Sequence, residues 1–180
     1  MFKKISFCLL FSFLVLIIPL SVYFLESAYQ VKADQERVIY DLPYPGLLPD
    51  HPLYFLKAIR DRLNDWLTRD YIKKAQLYLL YSDKRANSSL FLAKKGRNNL
   101  AISTLSKAEK YFLKIPSLLK EAKKQGQDAP AGFIEKLKLA NAKHREIVDN
   151  FLKTMPQGLN SSIIEVIKIN EQIKNQLEKF

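Results

Sequence analysis

Apolar side chains in this chain recur every three or four residues and nowhere alternate with period two, so the backbone is predicted to be helical throughout. The clearest run is Ala101, Leu105, Ala108, Phe112, Ile115, Leu119 and Ala122, an unbroken 4-3 stripe. A helix carrying such a stripe must bury it against other helices. Pro116 lies inside this run and should kink it or divide it in two, because proline removes a donor and clashes with the preceding turn.

Four further stretches share the period. Leu53, Leu56, Ile59, Leu63, Trp66 and Leu67 mark a first helix over about 52–68, with Asp50 as its expected cap and Pro52 in its first turn. A second begins near Asp70 and runs to about Lys95. Its first half (Tyr71, Ile72, Ala75, Leu77 to Tyr81) is apolar nearly all round, which predicts a central helix buried on several sides. After the stripe above come Phe133, Leu137, Ala140, His144, Ile147, Phe151 and Met155, then Ile163, Ile167, Asn170, Ile173, Leu177 and Phe180. Short breaks separate them: "KKGRNN" (94–99), where Gly96 should close a helix, "KKQGQDAP" (123–130), where Gly126 should close one and Asp128 cap the next, and "PQGLN" (156–160). Short connections make neighbouring helices antiparallel. The expected fold is all-α, an antiparallel helical bundle of about five helices built from hairpins and preceded by an N-terminal apolar export or anchor helix. Residues 52–125 would hold three helices and 126–180 a second hairpin.

The N-terminus sets the compartment. After Met1-Phe-Lys-Lys, residues Ile5 to Leu25 form 21 positions without a charge. As a helix that run spans about 31 Å, roughly one bilayer core. Lys3 and Lys4 would hold its start inside, placing everything after Leu25 outside the cytoplasm. Residues 1–33 read either as a signal cleaved after Val31-Lys32-Ala33 or as an uncleaved membrane anchor. Cys8, the sole cysteine, lies within this segment, so the domain beyond it has no disulfide, thiolate metal site or cysteine nucleophile. Of 29 basic and 18 acidic residues only Lys3, Lys4, Lys32 and Glu26 precede residue 34, leaving 26 against 17. Besides the membrane contacted by the N-terminal segment, the implied partners are anionic envelope polymers, lipid head groups or an envelope protein. Scattered lysines mixed with acids favour simple surface solubility over a nucleic-acid stripe.

Residues 34–51 form a proline-rich lead, with Pro43, Pro45, Gly46, Pro49 and Pro52 across it and the start of the first helix. The prolines stiffen the chain, and Pro45-Gly46 suits a type II turn. Leu47, Leu48, Leu53, Tyr54 and Phe55 are too apolar for a free linker and are expected to fold back onto the bundle. The segments "YPGLLPDHPLYFLK", "RDRLNDWLTRD" and "KKAQLYLLYSDKR", with the later "LKLANAKHREIVDNFLKTMP", resemble a bacterial family of exported helical domains of unknown function. The likeness covers about residues 42 to 170 and implies location and fold, with no reaction attached. This chain departs from the family pattern at Tyr71, where proline is frequent, and at Ser82, where alanine is frequent.

The residues for chemistry are sparse. Two histidines and no cysteine outside the leader argue against zinc, and no Gly-rich phosphate loop, G-x-S-x-G or S-x-x-K is present. No catalytic, cofactor-binding or metal residue is predicted, and no cofactor; the chain reads as a non-enzymatic interaction or scaffold protein. The alternatives are a helical chaperone or sensor for partner peptides, or an envelope enzyme whose site the sequence does not display. Asp61 and Asp65 beside Arg60, Arg62 and Arg69 read as a solvated ion-pair face. Asp83, Lys84 and Arg85 form a polar cluster on the central helix that could tie helices together and is the candidate polar interaction spot. His144 and Asn170 each interrupt an apolar stripe, and folding the chain back near residue 157 puts them at one height. They are expected to face each other and fix the hairpin's register. The fate of the leader separates in one measurement. An uncleaved anchor leaves a chain that begins near Met1 and resists carbonate extraction, whereas a cleaved signal leaves soluble chain beginning at Asp34.

Overall fold

The computed structural model describes residues 38–180; the expected export or anchor segment and residue 34 to 37 of the lead lie outside the described residues. Six α-helices follow the lead: α1 Tyr54–Leu67, α2 Tyr71–Lys94, α3 Asn98–Phe112, α4 Ile115–Lys124, α5 Phe133–Thr154 and α6 Asn160–Leu177, with a 3-10 turn at Gln157–Leu159. No strand occurs among the described residues. The count exceeds five because Pro116 divides the third helix: α3 stops at Phe112, and α4 restarts with Pro116 at its second position, where the missing N–H is harmless.

Helix boundaries follow local chemistry. The Asp70 carboxylate accepts the Lys73 amide at 2.7 Å and caps α2. Tyr71, where the family often has proline, is the first residue of α2, a position that favours proline. At the other end Gly96 takes φ +72°, and the amides of Gly96 and Arg97 return to the carbonyls of Ala93 and Leu92. This double closure satisfies the last carbonyls of α2. Two expected caps are corrected. Asp50 pairs with Lys95 at 2.9 Å, and His51 Nδ1 instead accepts the Leu53 amide at the start of α1. Asp128 caps nothing, since α5 begins later, at Phe133.

Helices α2 and α3 form one hairpin and α5 and α6 a second, and α2 also packs on α4 and α5. One apolar cluster joins Ala75, Tyr78, Leu79 and Tyr81 with Phe112, Ile115, Leu119, Phe133, Leu137, Ala140, Ile173 and Leu177. The other joins Ala86 and Leu92 with Ala101, Ile102, Leu105, Ala108, Ile147, Val148, Phe151, Met155, Ile163 and Val166. The first half of α5 thus shares a cluster with the last part of α6, as antiparallel neighbours must.

The lead runs over this bundle as an ordered strap. Tyr40 packs on the first cluster and Leu42 on the second. The Val38 amide donates to Glu146, Asn87 Nδ2 to the Pro43 carbonyl, and Lys57 Nζ to the Pro45 and Leu47 carbonyls. Gly46 has φ +69°, and the hydrogen-bonded turn lies at 48–51, where the His51 amide reaches the Leu48 carbonyl. Folding back is only partial: Pro45 is buried, but Leu47, Leu53 and Phe55 are exposed.

Helix α1 is mounted with its polar side inward. Asp61 is its buried residue, whereas Leu56, Ile59, Leu63, Trp66 and Leu67 face solvent. Asp61 and Asp65 are therefore no solvated face. Asp65 accepts from the Tyr78 hydroxyl at 2.7 Å and pairs with Lys74, and Asp61 meets Arg60 at 2.9 Å and Arg85 at 3.6 Å. Among the described residues no helix is long and apolar enough to cross a membrane.

Glycine at 96 is required by its backbone angle alone, since a Cβ there would meet nothing within 4 Å. Gly96→Ala should lower the unfolding free energy by about 1 kcal/mol. Gly158→Ala, equally uncrowded and without a positive φ, should leave it within about 0.5 kcal/mol. Denaturant titration of the two variants checks the contrast.

Candidate functional site

Between the two apolar clusters lies a layer of buried polar side chains to which each of four helices contributes: Asp83 from α2, Glu109 from α3, Asn141 and His144 from α5, and Asn170 from α6. At its centre the His144 imidazole, 1% exposed, has a carboxylate on each nitrogen. Nδ1 lies 2.7 Å from Glu109 Oε1, and Nε2 lies 3.2 Å from Asp83 Oδ1. The other oxygens are taken too. The Tyr40 hydroxyl donates to Asp83 Oδ2 at 2.6 Å, and Asn170 Nδ2 donates to Glu109 Oε2 at 3.2 Å. Asn141 and Asn170 exchange side-chain to backbone bonds across the hairpin, at 3.2 and 3.1 Å. The Phe112 ring stands edge-on to the imidazole, with centroids 5.6 Å apart.

Electrostatics decides the protonation state. A neutral imidazole would turn one lone pair toward a carboxylate oxygen, whereas an imidazolium donates at both nitrogens. Burial alone would push the His144 pKa down. The charge of Glu109, the hydrogen bonds to Asp83 and Glu109, and the charge of Asp83 outweigh it and hold the ring up at about 9. Burial first, and then the bond to the Asp83 carboxylate, raise the Tyr40 phenol far above its ordinary range, so Tyr40 stays a donor.

The expected pairing of His144 with Asn170 is corrected: the two residues share the height but not a direct bond, and Glu109 joins them. Both need an acceptor, and a buried carboxylate serves a cation and an amide better than they serve each other. The Asp83-Lys84-Arg85 cluster splits. Asp83 enters the layer, and Lys84 is half-buried outside it. The Arg85 guanidinium stacks 4.3 Å from the Tyr111 ring and reaches Asp61, so it belongs to the α1 mount. Pro43 and Pro45 hold the strap that delivers Tyr40, while Pro49 and Pro52 lie in the turns leading to α1. Ser82 Oγ donates to the Ala108 carbonyl at 3.0 Å, stitching α2 to α3 where the family often has alanine.

Glu109, Asn141 and Tyr40 were not marked by their types. Glu109 has Leu105 four residues before it and Phe112 three after it, so it sits on the α3 stripe, and that was its available signal. Among the described residues no three His, Cys, Asp or Glu side chains are arranged to hold a metal ion.

The layer makes stability depend on pH. The folded pKa near 9 exceeds the unfolded value of 6.5, so the folded state keeps a proton that the unfolded state releases. The contribution is complete below about pH 6.5 and is lost as pH rises through about 9, on the order of 3 kcal/mol in all. Unfolding free energies should fall over that window, and His144→Gln should remove the slope. His144→Leu, which leaves two carboxylates facing each other, should destabilise by about 3–5 kcal/mol.

A protein-family model described as Domain of unknown function (DUF5667) matches residues 46–158. No curated protein and no solved structure matches the chain.

Proposed function

The chain belongs to the DUF5667 family, and we propose that it is a non-enzymatic interaction or scaffold domain exposed on the outer side of the cell membrane and attached there by its N-terminal apolar segment. The observation that supports this reading is the closure of the polar layer. Both ring nitrogens of His144 and all four oxygens of Asp83 and Glu109 are already engaged by side chains of the same domain. A general acid or base must keep an atom within reach of a substrate proton. The strongest cluster of titratable groups therefore serves to hold helices, and function falls to the surface. A chaperone or sensor for partner peptides would use a concave apolar surface, whereas the apolar surface of α1 is a single outward helix face.

The purified full-length chain should give no turnover with ester, peptide, glycoside and phosphoester substrates that survives a second purification step. It should also remain in the membrane pellet after carbonate extraction. Reproducible turnover, lost on His144→Gln, would refute the scaffold reading.

A further inference from the structure

The outward face of α1 is built like a helix that lies in a lipid surface. With about 100° between successive residues, Phe55, Trp66, Ile59, Leu63, Leu56 and Leu67 fall within an arc of about 120°. All six are between 51 and 74% exposed. Arg62 borders one edge of that arc, and Arg60, whose guanidinium pairs with Asp61 at 2.9 Å, borders the other. Asp61, Asp65 and Tyr54 lie opposite and turn toward the bundle, where Asp61 and Asp65 meet Arg85, Lys74 and the Tyr78 hydroxyl.

A helix left apolar on one side by an incomplete core would be held only by what remains of that core. This one is held by its acids, so its apolar side is free by construction. We propose that α1 is an interfacial membrane-binding helix: it seats Phe55, Leu56, Ile59, Leu63, Trp66 and Leu67 among lipid chains of an anionic bilayer, with Arg62 on the headgroup phosphates.

Three observations favour lipid over a second copy or a protein. The two edges of the stripe carry arginines and no acid, so two copies face to face would bring arginine against arginine. Basic residues beside a tryptophan-containing apolar face suit a headgroup boundary, where the aliphatic part of arginine lies along the chains and its charge reaches the phosphates. Chain length agrees as well. Twelve residues lie between Leu25, the end of the apolar run, and Val38, so the two are at most about 45 Å apart along the chain. This last argument rests on the anchor reading proposed above. With that anchor in place α1 would meet the bilayer at high effective concentration, so weak interfacial binding suffices.

Trp66 is the sole tryptophan of the chain and lies on the stripe, so it reports directly. The full-length chain is reconstituted in vesicles of phosphatidylcholine alone or mixed with phosphatidylglycerol, with and without brominated lipids, and carbonate extraction is measured in parallel. In the anionic vesicles Trp66 emission should shift to the blue, resist acrylamide and be quenched by shallow bromines. Ile59→Glu with Leu63→Glu, both solvent-facing, should abolish all three effects. Arg62→Glu should lower the ratio of seated to free helix roughly fivefold or more. Carbonate-resistant protein whose Trp66 stays red-shifted and open to acrylamide overturns the proposal while leaving the anchor intact. Lipid quenching in carbonate-extractable protein supports the proposal and overturns the anchor. A blue shift that follows protein density and ignores bromines marks a second copy as the occupant and overturns it. So does one that appears only when other envelope proteins are added.

Discussion

The imidazolium of His144 held between Glu109 and Asp83 is the interaction on which the arrangement of helices depends. It engages three helices at once, and Asn170 brings in the fourth through the second oxygen of Glu109. Apolar packing alone would leave the height of these helices loosely set, because Leu, Ile and Ala stripes tolerate sliding by a turn. A slide of one turn, about 5.4 Å, would pull a charge from its partners into an apolar cluster. Ion clusters of this kind add little net stability over an apolar core of the same shape, since desolvation offsets attraction. What the layer adds is one register in place of several. Tyr40 extends the logic to the lead: by donating to Asp83, it ties the strap to the same height at which the helices are aligned.

Helix α1 follows from a second constraint, that an amphipathic helix has two faces and either can be the inner one. The inner site here is a polar and aromatic shelf. Tyr78 and Tyr81 stand edge-on to Tyr111, at 5.5 and 5.8 Å between centroids, and Arg85 lies over the Tyr111 ring. Such a shelf offers hydroxyls and a guanidinium, which suit Asp61 and Asp65 better than leucines. The domain thus keeps its buried core and presents a separate apolar face on α1.

Much of the helical layout was legible from one-dimensional rules. Asp70 and Gly96 bounded α2, Pro116 split the third helix, and the all-round apolar start of α2 placed it centrally, because each is a local effect of caps, missing donors or periodicity. The shared height of His144 and Asn170 was readable from a hairpin count. Their link was not, because Glu109 arrives from a helix outside that hairpin, and a single sequence does not say which helices adjoin. The orientation of α1 was hidden for a related reason: periodicity separates two faces but does not say which one the rest of the protein will accept. Asp50 and Asp128 had the right type for caps, yet Asp50 is drawn to Lys95 and α5 starts beyond Asp128.

The central claim is that a buried, doubly paired imidazolium aligns the four helices, and nitrogen-15 NMR of the His144 ring tests it most directly. Near pH 7.5 a free histidine is mostly neutral, with one protonated and one bare nitrogen. The account predicts that both His144 ring nitrogens carry slowly exchanging protons at that pH, each correlated with a carboxylate partner, and that they lose this signature only near pH 9. A neutral ring at pH 7.5, with one unprotonated nitrogen and its proton moved to Asp83 or Glu109, would contradict it.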